Sequence, residues 1–481
     1  VLPRLGGEPD ASLVAELEQI DRLMAVRARC LARELGRSLA RRCHTHHIDF
    51  VGFKLWSGHG FEASVEMAGI IRAECPTVKL FAGGPAVHYS GGVVADEAPV
   101  FDAIVDGDGE PAISALARYA EGARDLAGIP NLLRPGDGAR EVPGEFADMD
   151  CLPPPLYDRD IYPSLWDGSK IKLICLDESR GCPLRCAFCV NWCIEGDRWR
   201  TRKASAVVQQ MRQLRARLGT RAFRMAGTYS HPRLVREICE LITASDLDVE
   251  FSLFMNAGGV TPELVALLRQ AGCFGLFFGI ESGSDEILKS AMNKRVSADR
   301  VRRAVSTARD GGLFTAGSLI YPAPGETPQS EAETRRLIEE LFAGHSNTSV
   351  LVTTPGLIPR TTWWHERERF GFELDVGDNA YRRMLLRYQI RHLLPSQYWE
   401  PAPYRLDGRG HTELLLRTGE LQRWVEQLGV CSNLPDHDAQ IGAALGQAPV
   451  EFKRRVRRLI FTGDVEGLQR LTDEANQGLA A

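Results

Sequence analysis

The sequence lacks a long apolar run and lacks an excess of charge of either sign. Its 481 residues include 58 Lys and Arg and 63 Asp and Glu, which gives a net charge of −5 at pH 7. No uninterrupted apolar stretch approaches the roughly 20 residues that a membrane helix needs, and no overall basic field favours nucleic acid. No secretory signal pattern is visible either. We therefore expect a cytoplasmic globular protein whose partners include neither a membrane nor nucleic acid.

Cysteine is plentiful, with 12 residues. In a chain without an export signal, cysteines are expected to be reduced thiols or metal ligands rather than disulfides. Most of them are scattered and are expected to be small buried hydrophobic side chains. Cys182, Cys186 and Cys189 are clustered, and they carry most of what the sequence says about function.

Short strands and helices alternate over the first 150 residues, which predicts an α/β fold with a doubly wound parallel sheet. In such sheets ligands bind beyond the carboxyl ends of the strands. Two predicted strands end in glycine-rich turns, at Gly83-Gly84 and Gly107-Asp108-Gly109, where a backbone can closely approach a large cofactor. Pro153-Pro154-Pro155 then indicates a linker, because consecutive prolines continue neither a helix nor a central strand.

The alternation resumes after the linker and yields six strands, too few for an eight-stranded barrel but enough for an open partial barrel. After about residue 375 the strand signals stop and the spacing is helical. We therefore predict three domains: a Rossmann-like domain over 1–150, a partial (β/α)6 barrel over 151–375 and a helical domain over 376–481. The six barrel strands are predicted near 171–176, 222–226, 248–255, 274–280, 314–320 and 348–353.

The clustered thiols have the spacing C-x3-C-x2-C and follow the first predicted barrel strand. Iron–sulfur clusters are held by Cys thiolates, usually four. Three thiolates from one loop would leave one iron of a four-iron cluster open to another ligand, much as an open position marks a catalytic zinc site. The alternative is a zinc site, for which Cys193 is a conceivable further ligand although it lies beyond the compact loop.

Residues 178–189, which contain the three thiols, resemble the cluster motif of radical S-adenosylmethionine (SAM) enzymes. The segments Gly279–Ser284 and Pro322–Thr327 are similar to two further motifs of that superfamily. Upstream, Ala82–Ala86 and Ile104–Glu110 resemble the cobalamin-binding domain of its cobalamin-dependent methyltransferase branch. The resemblance covers roughly residues 45–370. It implies three cofactors, a [4Fe–4S] cluster, SAM and cobalamin, and it assigns the cobalamin to the domain at 1–150.

The resemblance also implies site residues. Cys182, Cys186 and Cys189 would bind the cluster, and Glu281 and Ser282 would lie at the SAM. No D-x-H-x-x-G stands in the N-terminal domain, so we expect no His beneath the cobalt. The residues expected around the cobalamin lie in the loop after the first strand and at the glycine-rich strand ends: Leu55, Trp56, Gly83, Gly84, Gly107 and Glu110.

The sequence departs from the superfamily pattern at three strand ends. The second barrel strand ends in residues 225–230 with no carboxylate for the SAM amino group, and the third ends in residues 254–257 with no Arg for its carboxylate. The fifth ends in a bulky phenol, Tyr321. Without charged clamps, SAM loses hydrogen bonds worth roughly 1.5–3 kcal/mol each. Glu281 could then bind the open iron itself, or it could hydrogen-bond SAM.

With these three departures, the chain resembles those members of the cobalamin-dependent branch that methylate an indole ring without forming a radical. The resemblance implies transfer of a methyl group via methylcobalamin to C2 of the indole of L-tryptophan, in antibiotic biosynthesis, with Tyr321 as the base or as a proton relay. The alternative is a radical methylase of an unactivated sp3 carbon in natural-product biosynthesis. A non-methylating cobalamin radical enzyme and a non-catalytic sensor are further alternatives. A reductant protein is the expected macromolecular partner.

Overall fold

The computed structural model describes residues 11–133, 144–389, 391 and 394–480. None of the helices in these ranges is both long enough and apolar enough to cross a membrane. The predicted α/β fold is confirmed, because the two main sheets are built almost entirely from parallel strands.

A long helix, α1 (Ala11–His46), precedes the first sheet and packs against α2. The sheet has the order β1-β2-β3-β4, in which the first three strands are parallel and β4 is antiparallel to β3. The first three strands lie close to the predicted runs at 49–53, 78–82 and 101–105, because each is a short apolar run bounded by glycine or charge. Its elements are β1 (Phe50–Lys54), α2 (His59–Glu74), β2 (Lys79–Gly83), α3 (Pro85–Ser90), α4 (Val93–Glu97), β3 (Ala103–Val105), α5 (Glu110–Ala120) and β4 (Leu132–Leu133).

All six strands predicted after residue 171 are present in a second sheet. They are parallel neighbours in sequence order, with a hairpin (β6 and β7) inserted after the first of them. The elements are β5 (Ile174–Leu176), β6 (Ser179–Arg180), α6 (Asn191–Glu195), β7 (Arg200–Thr201), α7 (Ala204–Leu218), β8 (Ala222–Met225), α8 (Pro232–Ala244), β9 (Glu250–Phe254), α9 (Pro262–Gln270), β10 (Cys273–Glu281), α10 (Asp285–Ser290), α11 (Ala298–Asp310), β11 (Phe314–Ile320), α12 (Pro328–Phe342) and β12 (Thr348–Thr353).

The C-terminal part contains strands that the sequence analysis missed. The elements are α13 (Thr362–His365), β13 (Phe372–Leu374), α14 (Asp378–Arg387), β14 (Tyr404–Leu406), β15 (Arg409–Gly410), α15 (His411–Gln427), β16 (Cys431–Ser432), α16 (Asp436–Ala444), α17 (Pro449–Thr462) and α18 (Val465–Ala480). The expectation that strands stop near residue 375 is therefore wrong. Strands of two or three residues carry no period-two pattern and form only against a tertiary partner.

Two of these C-terminal segments join the earlier sheets. Strand β16 extends the second sheet to seven strands, in the order β16-β12-β11-β10-β9-β8-β5. Helix α14 packs on α3 and α4 beside the first sheet, where its Leu386 belongs to that sheet's hydrophobic core. The two sheets are thus connected through the C-terminal part as well as through residues 144–173.

The second sheet is covered on both faces. Helices α7, α8, α9, α11 and α12 bury its one face in a large apolar core. Helices α16–α18 cover the other face around Ala222, Phe314 and Ala316. Because both faces are covered, we expect ligands of this sheet to bind at the carboxyl ends of its strands, as is usual for parallel α/β sheets.

Candidate cofactor site

The three clustered thiols lie on a loop at the carboxyl edge of the second sheet, between β6 and α6. Gly181 opens this loop with φ +80°, and a Cβ at this position would lie 2.3 Å from the carbonyl oxygen of Arg198. Glycine is therefore required where the loop turns. The thiols themselves are neither fully buried nor fully exposed, and none is in a disulfide.

Electrostatics at the thiols are set by burial and by one buried ion pair. Burial raises the pKa of all three thiols, to about 11 for Cys186, and the nearby ammonium of Lys294 opposes the shift at Cys182 and Cys186. The thiols are therefore protonated at neutral pH, and a bound metal would have to displace their protons, as metals do at cysteine sites.

Lys294 and Glu281 form that ion pair. The Lys294 ammonium lies 2.7 Å from Glu281 Oε1, and both side chains are more than 90% buried. Glu281 has φ +68° at a bulge of β10, which is unusual for a residue with a side chain. A Cβ on Gly279 would lie 2.5 Å from Glu281 Oε1 and 2.9 Å from Lys294 Nζ, so a glycine there makes room for the pair.

In the described part of the chain, no three His, Cys, Asp or Glu side chains are arranged around a single metal ion. A four-iron cluster does not require such convergence, because each thiolate binds a different iron. Cys193, the candidate further zinc ligand, is buried and donates a hydrogen bond to the carbonyl oxygen of Arg360 at 3.1 Å.

Two carboxylates lie at the end of β8, where the strand's own sequence has none. Glu178 accepts hydrogen bonds from the Gly227 amide at 2.9 Å and from the Ser230 hydroxyl at 2.7 Å. Glu195, from α6, accepts from the Gly181 amide at 3.0 Å and from the hydroxyl of Thr228. Other segments therefore bring two carboxylates to this strand end, although the strand's own residues depart from the superfamily pattern.

The carboxyl edge of the first sheet holds the residues predicted to surround the cobalamin. Gly84 has φ +106°, and a Cβ there would meet the Leu55 backbone at 3.1 Å. The Leu55 amide donates to the carbonyl oxygen of Gly83 at 2.7 Å, which closes the loop after β1 onto the end of β2. Leu55 is buried and Trp56 is 54% exposed, beneath the Lys54 ammonium. Gly107 also has a positive φ, +113°. These residues stay predictions as cofactor ligands.

Arg180, the residue two before Cys182, binds the thiol loop to this edge. Its guanidinium donates to Glu110 at 2.8 and 3.2 Å and lies 3.4 Å from Asp108. Arg200 donates to the same Asp108 at 2.8 Å. The carboxylate of Glu110, predicted to contact cobalamin, is thus already engaged by the thiol loop.

A second link is formed by Asp106 and Arg360. Asp106 directly follows β3 and accepts hydrogen bonds from His88 and from both terminal nitrogens of Arg360. Burial and, to a smaller extent, the charge of Cys189 raise the pKa of the Tyr89 phenol, which follows His88 in α3. The structure therefore brings the thiol loop and the carboxyl edge of the first sheet together.

Two predicted residues are engaged elsewhere. The Ser282 hydroxyl lies 3.2 Å from the Thr334 hydroxyl and accepts from the Ser284 amide. The Tyr321 hydroxyl accepts from Arg417 at 3.0 Å, and burial together with a hydrogen bond to Glu331 raises the pKa of Tyr321. Both roles given to this phenol, base and proton relay, stay predictions.

Comparison with protein families identifies the second sheet and its loops. Residues 179–338 match the model of the Radical SAM superfamily. The chain carries a radical SAM domain. This domain includes the three thiols, Glu195, Glu281 and Lys294.

Two curated relatives extend beyond the radical SAM domain. An uncharacterised methyltransferase of Pyrococcus horikoshii is 27% identical over 317 residues, which cover 64% of this chain and 68% of the relative. The anaerobic magnesium-protoporphyrin IX monomethyl ester cyclase of Cereibacter sphaeroides is 25% identical over 280 residues, 54% of this chain and 44% of the relative. The chain thus spans less than half the length of the cyclase.

Two solved structures share the fold. The radical SAM methyltransferase TsrM of Kitasatospora setae, solved with cobalamin and a [4Fe–4S] cluster, aligns with TM-score 0.56 and 20% identity over 68% of this chain and 69% of TsrM. The cobalamin-dependent radical SAM enzyme OxsB, solved with aqua-cobalamin and SAM, aligns with TM-score 0.59 and 14% identity over 90% of this chain and 65% of OxsB. At these identities the agreement shows a shared fold and no more.

Proposed function

We propose that the protein is a C-methyltransferase that uses a [4Fe–4S] cluster, SAM and cobalamin. The observation that carries the proposal is the close approach of the three-thiol loop to the glycine-rich carboxyl edge of the first sheet, fixed by Arg180 and Arg360. Similarity to an uncharacterised methyltransferase and the shared fold with TsrM and OxsB support it. The bound cofactors would supply the methyl group and the electrons.

The residues present fit these groups. Cys182, Cys186 and Cys189 would hold the cluster, and the Glu281–Lys294 pair beside them would contact its open corner or the SAM bound there. Gly84 packs against the Leu55 backbone at the first sheet's edge, where a Cβ would lie only 3.1 Å from the Leu55 carbonyl oxygen, so a glycine allows the close approach of these two segments where the cobalamin would bind. The chain's own contribution is to hold the donors and acceptor close together and to exclude water.

The specific form that the sequence predicts is methylation of C2 of the indole of L-tryptophan by a polar route. That route needs an electron-rich acceptor carbon and a path for the proton that leaves it. Tyr321 and its partners Arg417 and Glu331 form a connected set of proton-bearing groups near the end of β11, so Tyr321 is proposed as a relay in this path.

A second form is a radical methylase of an unactivated sp3 carbon, and one observation favours it. The argument for a polar route is that charged clamps for SAM are absent, yet Glu195 and Lys294 stand beside the thiols. A clamped SAM is what reductive cleavage requires. The structure therefore weakens the argument from missing residues without choosing the acceptor.

Anaerobic turnover with methyl-labelled SAM tests both forms. The protein, reconstituted with iron, sulfide and a corrinoid, is incubated with L-tryptophan and a panel of aromatic and aliphatic acceptors, and products are read by mass spectrometry. We expect label in a methylated product, with the Cys186→Ala variant inactive. S-adenosylhomocysteine as sole coproduct supports the polar form, and 5′-deoxyadenosine at each turnover supports the radical form. Loaded protein that labels no acceptor contradicts the proposal.

A further inference from the structure

A cavity at the amino end of the second sheet carries more positive than negative charge. Its volume is about 310 Å³, and it lies between α17 and the end of α15 with β16. Its lining residues are Val450, Lys453, Arg454 and Arg457 of α17, together with Glu426, Gly429, Val430, Cys431 and Ser432. Because β16 pairs with the beginning of β12, the cavity is at the opposite end of the sheet from the thiol loop. A ligand bound here would therefore lie apart from the thiols.

Lys453 is the innermost cation of this cavity, and its hydrogen bonds are complete. Its ammonium donates to the Ser432 carbonyl oxygen at 2.5 Å, to the Ser432 hydroxyl at 2.7 Å and to Glu426 Oε1 at 3.1 Å. An ammonium has three donors, so Lys453 has none left for a ligand. The Ser432 hydroxyl also donates to Glu426, which holds this carboxylate on Lys453. The charges of Lys453 and Glu426 therefore offset each other.

Arg457 lies one turn further along α17 and has no such partner. Its side chain is only partly exposed, yet among the described residues it makes no hydrogen bond and no ion pair. Glu426 attracts the guanidinium but lies beyond ion-pair distance, because it is held on Lys453. Burial lowers the pKa of Arg457, and burial together with the charge of Arg457 lowers the pKa of Lys453. Two cations thus face one cavity in which a single carboxylate is already engaged.

The cavity has two positive charges in excess. Arg454, at its edge, is exposed, and it too makes no hydrogen bond or ion pair within the part of the chain that the structure describes. Since Lys453 and Glu426 offset each other, the charges of Arg454 and Arg457 remain uncompensated. A guanidinium is planar, and its fork of donors matches the oxygen pairs of carboxylates and phosphates. An anion with two charges would therefore balance this cavity.

We propose that this cavity binds the phosphate group of a small molecule, held mainly by the Arg457 guanidinium. A phosphate group carries close to two negative charges at neutral pH, which matches the excess charge, whereas a carboxylate carries one. Its oxygens can accept two parallel hydrogen bonds from Arg457. Pockets for small molecules begin at roughly 300 Å³, so the cavity has room for a free phosphate or a small ester. The inference does not depend on the proposed methyl transfer, because the thiols are at the other end of the sheet.

Equilibrium dialysis with radiolabelled inorganic phosphate tests the assignment. It uses the full chain, reconstituted anaerobically, in a buffer without phosphate or sulfate. We expect saturable binding to the wild type and to the control Arg458→Gln, whose side chain is exposed on α17 and does not line the cavity. Arg457→Gln should lower the affinity for phosphate roughly 10- to 100-fold. Arg457→Lys keeps the charge but loses the fork of donors, so an intermediate affinity is expected.

Competition and thermal unfolding give two further readouts. Acetate, with one charge, should displace labelled phosphate much more weakly than unlabelled phosphate does. Glycerol 3-phosphate should also displace it: tighter binding than that of phosphate identifies an ester as the ligand, and weaker binding identifies the free anion. Because a ligand that binds only the folded state stabilises it, phosphate should raise the unfolding temperature of the wild type and Arg458→Gln but not of Arg457→Gln.

Three results would overturn the inference. They are the absence of saturable phosphate binding to folded wild type, equal affinity of wild type and Arg457→Gln for phosphate, and equal displacement by acetate and phosphate. Each of these leaves the methyltransferase proposal standing, since that proposal is tested by turnover of labelled SAM. If Arg457→Gln does not fold, the comparison of Arg457→Lys with Arg458→Gln decides the question, and equal affinities in that pair overturn the role of Arg457.

Discussion

Arg360 reaches from the segment after β12 to Asp106 at the end of β3, where both side chains are about 95% buried or more. Its two terminal nitrogens donate to the two carboxylate oxygens, and His88 donates to the same carboxylate at 2.9 Å. Burial alone would raise the pKa of Asp106, but His88 and Arg360 outweigh it and lower that pKa. Because the Arg360 carbonyl also accepts from Cys193, this pair connects the edge of the first sheet to α6, the helix that follows the thiol loop.

Removing one partner of this pair should destabilise the protein strongly. Arg360→Met leaves Asp106 buried without its main counter-charge, and we expect a loss of about 3–5 kcal/mol in the free energy of unfolding. Arg360→Lys keeps the charge but not the two-pronged geometry, so an intermediate loss is expected. Urea unfolding followed by tryptophan fluorescence measures both. Arg369→Met, which breaks an exposed pair with Glu366, serves as control and should cost about 0–1 kcal/mol. Equal losses in the two Met variants would show that burial of the pair contributes nothing.

The thiols give a prediction about iron. Replacement of Cys182, Cys186 or Cys189 by Ala should each lower the iron and sulfide of anaerobically reconstituted protein well below the roughly four of each expected for one cluster. Cys193→Ala should leave both values unchanged, because that thiol is already hydrogen-bonded to the Arg360 carbonyl. Iron and sulfide analysis with the visible spectrum provides the measurement. Zinc in place of iron, lost on removal of Cys193, would support the zinc alternative instead.

Glu281 has two candidate roles that its amide variant separates. Its Oε1 is bound to Lys294 and its Oε2 lies 3.5 Å from the Ser318 hydroxyl, so the carboxylate is already held on both sides. We therefore expect Glu281→Gln to leave the electron paramagnetic resonance spectrum of the reduced, SAM-free cluster unchanged and to diminish the change that SAM causes. A shifted spectrum without SAM would assign Glu281 to the iron. Glu286→Gln, on the exposed side of α10, is the control.

Much of the fold was predictable because its signals are local. Strands such as Phe314–Ile320 and helices such as Ala298–Asp310 lie where the alternation of apolar runs and amphipathic spacing placed them. Strand β16 was not predictable, since a strand of two residues carries no sequence pattern. It forms because its residues pair with the open edge of β12. The fold class could be predicted because it depends on the long elements with a local pattern. The C-terminal arrangement could not, because it depends on short strands that need a tertiary partner.

The same division applies to the site. The three thiols and Glu281 stand in motifs that can be recognised from spacing. Glu195 and Arg360 cannot be recognised in this way, because their hydrogen-bond partners are distant in the sequence. Glu195 binds Thr228, 33 residues away, and Arg360 binds Asp106, 254 residues away. Residues 225–230 contain no carboxylate, and they did not reveal Glu178 and Glu195 nearby, since a strand's own residues do not show which carboxylates other segments bring to it.

Glu178 should make stability depend on pH. Burial raises its pKa from 4.5 to about 7, against the hydrogen bonds from Ser230 and Gly227 that favour the charged form. A carboxyl with a raised pKa in the folded state binds its proton more tightly there than in the unfolded chain. Its contribution to stability is therefore full below about pH 4.5 and is lost as the pH rises to about 7, a change of about 3 kcal/mol.

The variant Glu178→Gln removes this dependence. The amide of Gln can still accept a hydrogen bond from the Gly227 backbone and donate one to the Ser230 hydroxyl, and it has no proton to lose. With both proteins free of cofactors, we therefore expect the free energy of unfolding of Glu178→Gln to increase relative to that of wild type as the pH rises from 5 to 8. Urea unfolding at intervals across that range measures the difference between the two proteins. Glu240→Gln, which alters an exposed carboxylate, should follow the wild-type curve throughout. A constant difference between wild type and Glu178→Gln would mean that the Glu178 carboxyl is ionised in the folded protein across the whole range, stabilised by its two donors more than it is opposed by burial.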